Sequence, residues 1–487
     1  MILDNVPGGF LMRKTKIVCT LGPNENDYNI LKKLAENMDV ARFNFSHGSH
    51  QEHLERLTLL KEARKDSGRE IAALLDTKGP EIRTGELENH QKVTLETGAQ
   101  IILTTEECIG TKDKVYINYD GLNEDVKEGN VILIDDGLIG LVVKKVEGAD
   151  ILCEITNGGE LGEKKGVNVP NVSIKLPGLT DKDIADIKFG LEVGFDFVAA
   201  SFVRNAETIH QIREIIDNAG SNMKIIAKIE SQEGLDNLDE IIEAADGIMV
   251  ARGDLGVEIE AKRLPQLQKE MIKKCNYAGK LVITATQMLD SMIRNPRPTR
   301  AEVTDVANAV YNGTDAVMLS GETAAGKYPV EALEMMASIV EYTEQFLDYS
   351  AYKNRKVDKS TYENISNAVC AASVTTASEL HAKALIVPSL TGSTARLISK
   401  YRPATPIYAM SPSQATVRQM MLLWGVTPIW AKRSDTTDEL FENSMDELRS
   451  RGIVEKGDIC VITAGILSRL TRNQPVTPTN IMRVMGA

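Results

Sequence analysis

Short apolar runs that end in polar or charged residues alternate with stretches of helical period as far as about residue 345. The runs are 16–22, 40–46, 71–77, 197–203, 224–230, 247–254, 281–287 and 316–323. Strands alternating with helices predict βαβ units and a parallel sheet, and eight of them predict a closed (β/α)8 barrel. An open doubly wound sheet would carry a glycine-rich dinucleotide turn after its first strand. Here Leu21-Gly22-Pro23-Asn24 stands in that place. Between the third and fourth runs the period changes to short strands with turn signals, such as Asn157-Gly158-Gly159. That pattern predicts an all-β insertion over 85–177, leaving 1–84 and 178–350 as the barrel. Inserted at the end of a barrel where active sites lie, it could act as a lid. From 351 to 487 a smaller open α/β domain is expected, with strands at 384–388, 406–410, 426–430, 458–463 and 481–484.

Composition narrows the function classes. The 487 residues are 43% hydrophobic and 26% charged, ordinary globular values, and the net charge of −13 argues against nucleic acid or an anionic membrane as the main partner. No apolar run approaches the roughly 20 residues that span a bilayer. The six cysteines are scattered without a CxxC pair, which fits reduced thiols in a cytoplasmic protein. Residues 1–11 carry Asp4 and no basic segment, so they read as a disposable extension, not a signal peptide.

The strand ends carry the candidate chemistry. Alternation along a strand puts Lys228 with Glu230, and Arg252 with Asp254, on common faces. Buried charges brought together in this way build a site, because idle buried charge is too costly. Glu230 and Asp254 are hard oxygen ligands suited to Mg²⁺ or Mn²⁺. Arg42 offers a planar fork for phosphate or carboxylate, and Lys228 a compact charge for a phosphoryl group in transit or an enolate. Gly253 allows close backbone approach to an anion. Asn44, Ser46, Asp76 and Thr77 form an oxygen-rich, singly charged cage apt for a monovalent cation. Thr284 and Thr286, and likewise Ser320 and Glu322, are expected to share faces of the last two strands. His47 is as readily a satisfied loop histidine as a ligand contact. In the C-terminal domain, Ser389, Thr391, Gly392, Ser393 and Thr394 lead from a strand into a helix, an arrangement that suits an anion or a plain N-cap.

Seven segments, in order, resemble the pyruvate kinase family. They are Arg42-Phe43-Asn44-Phe45-Ser46-His47-Gly48, Asp76-Thr77-Lys78-Gly79-Pro80-Glu81-Ile82-Arg83, Lys165-Gly166-Val167-Asn168, Ile226-Ala227-Lys228-Ile229-Glu230, Ala251-Arg252-Gly253-Asp254-Leu255-Gly256, Thr284-Ala285-Thr286-Gln287-Met288-Leu289 and Met318-Leu319-Ser320-Gly321-Glu322-Thr323. The resemblance implies a barrel, a small β-barrel lid, a C-terminal effector domain and a homotetramer. It implies phosphoryl transfer from phosphoenolpyruvate to ADP, giving pyruvate and ATP, with Mg²⁺ on Glu230 and Asp254 and K⁺ in the cage of Asn44, Ser46, Asp76 and Thr77. By the same resemblance Arg42, Lys228, Gly253, Asp254 and Thr286 bind substrate, Asn44, His47, Arg83 and Lys165 face the nucleotide, and Thr286 with Ser320 and water delivers a proton. Glu81 marks K⁺ dependence, since K⁺-independent members typically carry lysine there. The chain is expected to be of the bacterial type that lacks an extra C-terminal phosphohistidine-like domain. The stretch 467–475 has no glycine where the family usually has a glycine-rich loop. A phosphorylated effector at Ser389–Thr394 is therefore expected to be a monophosphate, such as AMP or ribose 5-phosphate, more than fructose 1,6-bisphosphate. A barrel lyase or aldolase acting on pyruvate or oxaloacetate would share the metal carboxylates but need neither Arg83, Lys165 nor a lid. A non-catalytic sensor would be expected to have lost Lys228, Glu230 or Asp254, and all three are intact.

Overall fold

The computed structural model describes residues 13–349, 361–465 and 478–487. The proposed N-terminal extension, the junction near residue 351 and the glycine-free stretch 467–475 lie outside the described residues. All eight expected runs form strands: β1 (Lys16–Leu21), β2 (Val40–Asn44), β3 (Ala72–Asp76), β4 (Phe197–Ala200), β5 (Lys224–Ile229), β6 (Gly247–Ala251), β7 (Leu281–Ala285) and β8 (Ala316–Leu319). They close into a parallel barrel in chain order. Alternate residues serve two cores. Ile17, Cys19, Ala41 and Phe43 pack outward against the helices, whereas Val18, Val40, Leu74, Phe197 and Met249 fill the interior.

The closed end is held by a fourfold repeat of aspartate. Asp39, Asp196, Asp246 and Asp315 each immediately precede an even-numbered strand. Their carboxylates accept the backbone N–H of Ile17, Ala73, Ile225 and Val282, the second residues of β1, β3, β5 and β7, at 2.8–2.9 Å. Each aspartate N–H donates back to the carbonyl of that same residue at 2.9–3.0 Å. The first N–H of every odd strand is satisfied in turn, by the carbonyls of Asp315, Asp39, Asp196 and Asp246. The barrel therefore closes with its N-terminal backbone groups paired and four carboxylates drawn inside, each needing a cation. Arg13 and Arg69 serve Asp39, and Arg213 serves Asp246. Asp196 and Asp315 take Arg418 at 2.9 Å and Arg402 at 2.7 Å.

Those last two arginines belong to the C-terminal domain, which packs against this end. Its sheet has β9 (Ala384–Pro388), β10 (Ile407–Ser411), β11 (Val426–Trp430), β12 (Ile459–Ala464) and β13 (Ile481–Gly486) in the order β11-β10-β9-β12-β13, with only β13 antiparallel. Lys16 Nζ donates to the Val426 carbonyl at 2.8 Å, and the Arg402 guanidinium lies 4.7 Å from the Trp424 ring centre. At the opposite end, the insertion after β3 forms a six-stranded curled sheet and a two-stranded pair around its own apolar core, including Leu103, Val115, Ile132 and Leu141.

Arg402→Met would leave the Asp315 carboxylate buried without its cation. Removing one partner of a buried pair costs about 3–5 kcal/mol, so a clear fall in melting temperature is expected, partly restored by adding Asp315→Asn. A melting temperature equal to wild type would show that the clasp contributes nothing.

Candidate active site at the open end of the barrel

Four of the expected residues converge where β2, β3 and β5 end. Arg42 Nε donates to Asp76 Oδ2 at 2.6 Å, and its Nη1 to Thr20 Oγ1 at 3.0 Å. Lys228 Nζ lies 3.1 Å from Asp76 Oδ1, 3.0 Å from Glu230 Oε1 and 2.7 Å from Ser201 Oγ. All four charged groups are buried or nearly so. Burial works against the charge on both Asp76 and Lys228, but Asp76 is held charged by Arg42 first and Lys228 next, and Lys228 by Asp76 first and Glu230 next. Glu230 differs: burial pushes its carboxyl up to about 7, Lys228 opposes the shift, and Asp254 adds to it. Glu230 Oε2 accepts the Phe202 N–H at 2.6 Å. Its other oxygen is buried without a well-aligned hydrogen bond, although Lys228 lies 3.0 Å away. Proximity without alignment is a Coulombic contact only, and it leaves that oxygen's lone pairs open to a cation.

The sixth strand departs from the expected geometry. β6 stops at Ala251, and Arg252–Glu258 is a helix. Residues two apart on a helix face nearly opposite ways, so Arg252 and Asp254 part company. Arg252 turns to Asp305 at 2.6 Å and to the carbonyls of Ala285 and Thr286. Asp254 instead lines a cleft of about 610 Å³ between barrel and lid, together with Arg83, Asp136, Lys165, Phe202 and Glu258. Gly253 lies inside this helix, and its N–H donates to Thr286 Oγ1 at 2.7 Å. Thr286 is past the end of β7 in the left-handed region (φ +67°), so it does not share a strand face with Thr284, which bonds Thr314. Glu322 folds back to accept the Ser320 N–H, and Ser320 Oγ is buried without a partner.

The remaining expected residues are placed as follows. Asn44 is aligned with Asp76 across β2 and β3, and its Oδ1 accepts the Ser46 N–H at 3.1 Å. Thr77 Oγ1 accepts the Ser201 N–H. His47 is exposed, and its carbonyl accepts from His53 Nε2. Arg83 donates to Glu81 at 2.7 Å, and Lys165 pairs with Asp135 at 2.9 Å. Ser389, Thr391, Ser393 and Thr394 line a separate cleft of about 840 Å³ in the C-terminal domain, with Lys432 and Arg433. The helix there, Ser393–Lys400, starts from Gly392 in the left-handed region with no side-chain cap, so the plain Ser/Thr N-cap is not what the segment forms. Thr20, Ser201 and Phe202 were missed in the sequence. The first two are polar residues at barrel strand ends, and that rule alone would have found them.

Fold and site together define a (β/α)8-barrel enzyme with a lid and an appended α/β domain. Residues 12–333 match the family described as pyruvate kinase, barrel domain, and residues 367–485 that described as pyruvate kinase, alpha/beta domain. A pyruvate kinase of Clostridium acetobutylicum is 47% identical over 477 residues, covering 97% of this chain and 99% of that one. One of Geobacillus stearothermophilus is 49% identical over 478 residues, covering 97% and 80%. A crystal structure of a pyruvate kinase from Cryptosporidium parvum superposes with a TM-score of 0.91 at 37% identity, covering 97% and 96% of the two chains. The chain belongs to the pyruvate kinase family.

Proposed function

We propose that this enzyme transfers the phosphoryl group of phosphoenolpyruvate to ADP, with Mg²⁺ or Mn²⁺ held by Glu230 and Asp254 and K⁺ by Asn44, Ser46, Asp76 and Thr77. The observation that carries the residue assignment is the buried cluster of Arg42, Asp76, Lys228 and Glu230, with an unbonded carboxylate oxygen facing the lysine. The donor set fits the metal: two carboxylates are a usual protein contribution to Mg²⁺, the rest coming from substrate and water. Among the described residues no cluster of three or more His, Cys, Asp or Glu side chains could hold a metal on its own. When bound, the divalent ion neutralises charge on phosphoryl and enolate oxygens.

The chain's own groups do the rest by position and charge. Arg42 and Lys228 hold the phosphoryl group. The bond from phosphorus to the enol oxygen breaks as one to a β-phosphate oxygen of ADP forms. Lys228, already fixed and charged, stabilises both the moving phosphoryl and the enolate left behind. Arg83 and Lys165, on the lid side of the cleft, face the nucleotide. The enolate takes a proton at its methylene carbon from water relayed by Thr286 and Ser320, and the unbonded Ser320 hydroxyl suits that task.

Lys228→Met should lower turnover by about a hundredfold or more, from a loss of roughly 3 kcal/mol or more, with a much smaller change in KM for phosphoenolpyruvate. Steady-state kinetics check this, and near-normal turnover would end the assignment.

Activity should require K⁺. Glu81, a few residues beyond Asp76 and Thr77 in the chain, is tied to Arg83 and lies 3.9 Å from Lys78. Glu81→Lys should restore part of the rate in K⁺-free buffer by lending an ammonium. Equal wild-type rates with and without K⁺ would contradict the cage.

A phosphorylated metabolite is proposed to bind in the C-terminal cleft and to lower half-saturation for phosphoenolpyruvate. Thr394 is a poor position to probe, because it is buried against Thr479 at 2.9 Å. Thr391, exposed at the mouth, is better. Thr391→Glu should abolish activation by AMP or ribose 5-phosphate and spare the basal rate; activation that survives would place the effector elsewhere.

A further inference from the structure

We infer that Ser201 is a positioning residue for Lys228, an inference that rests on the role of Lys228 given above. Three oxygens surround the Lys228 ammonium: it donates to Asp76 and to Ser201, and Glu230 is its Coulombic neighbour at 3.0 Å. Two of these are carboxylates with other claims on them. Asp76 is shared with Arg42, and Glu230 is a ligand for the divalent ion. Ser201 is the neutral partner and the shortest contact, at 2.7 Å. A serine hydroxyl has one proton, and that of Ser201 is aimed at the Thr77 carbonyl, 2.6 Å away, leaving a lone pair for Lys228. The contact to Asp76 Oδ1 is longer, at 3.3 Å. Ser201 can therefore hold the ammonium in place while the carboxylates engage cations or exchange them.

The backbone makes this corner rigid. The Ser201 N–H donates to Thr77 Oγ1 at 3.1 Å, and the next N–H, of Phe202 in the left-handed region (φ +52°), donates to Glu230. One corner thus fixes both the lysine and the carboxylate. Gly79 closes it from outside: a Cβ there would fall 2.7 Å from Ser201 Cβ. Ser201 is buried in this corner, so the informative variants are small.

The experiment compares full-length wild type, Ser201→Ala, Ser201→Cys and Lys228→Met in turnover and in KM for phosphoenolpyruvate, and adds a crystal structure of metal-free Ser201→Ala. A lost hydrogen bond to a charged group predicts a fall in turnover on the order of ten- to a hundredfold, with KM much less affected. Cysteine is only a little larger and accepts hydrogen bonds weakly, so Ser201→Cys should show at least a similar loss, and it carries the test if the alanine variant fails to fold. In the metal-free alanine variant Lys228 Nζ should leave its present position. Wild-type turnover in Ser201→Ala, rescue by cysteine, or an unmoved Lys228 would each overturn the inference. Normal turnover in Lys228→Met would instead remove the role of Lys228 itself.

Discussion

Four carboxylates at the closed end of the barrel, three of them buried and Asp246 partly so, set the geometry that the rest of this molecule uses. A parallel barrel has no hairpins to close it, so its strand starts must be tied by something other than the ladder. Asp39, Asp196, Asp246 and Asp315 do this, each bridging two neighbouring strands through a backbone N–H group. Buried carboxylates demand cations, and that demand recruits the C-terminal domain. Arg418 answers Asp196 and Arg402 answers Asp315. The strands that begin at these two aspartates are β4 and β8, and their far ends lead into Ser201 with Phe202 and into Ser320. The domain proposed to bind an effector is thus joined by charge to two of the strands that deliver active-site hydroxyls.

The open end faces the reverse problem. There the buried charges of Arg42, Asp76, Lys228 and Glu230 are balanced against each other, and the balance is incomplete at Glu230. Its carboxyl is raised to about 7 because burial and Asp254 outweigh Lys228. Asp136 and Glu258, along the same cleft, are also raised, by burial first and by Asp254 next among the charges that raise them. An acidic wall with raised carboxyls is short of positive charge. A divalent ion held there, as proposed, would relieve that shortage and at the same time give an anionic substrate a reason to enter.

Much of this was legible in the sequence because burial makes periodicity strict. Each of the eight apolar runs became a barrel strand, and the five C-terminal runs became the second sheet. Strand-end polarity located Arg42, Asp76, Lys228 and Glu230, and the structure joins them directly. The misplacements share one cause. The apolar run at 247–254 predicts strand to its end, yet the chain turns helical at Arg252, and a change of period reverses which side chains agree. The fourfold aspartate repeat was overlooked for a different reason. An aspartate before a strand looks like ordinary loop polarity, and only the closed barrel shows that four of them occupy equivalent positions.

Arg252 shows how a side chain absent from the reacting cluster still shapes it. Thr286 is β-branched and sits at φ +67°, a conformation that such residues resist, and Gln287 follows at +53°. Something must hold this turn. Arg252 does so: its guanidinium, anchored on Asp305, donates to the carbonyls of Ala285 and Thr286. The turn in turn aims Thr286 Oγ1 at the Gly253 N–H, fixing the helix that carries Asp254. The cation first read as a companion of Asp254 on one strand face is instead the brace for the strained turn beside it. Its charge is used on Asp305 and on backbone carbonyls, while the helix turns the carboxylate of Asp254 the other way, into the cleft.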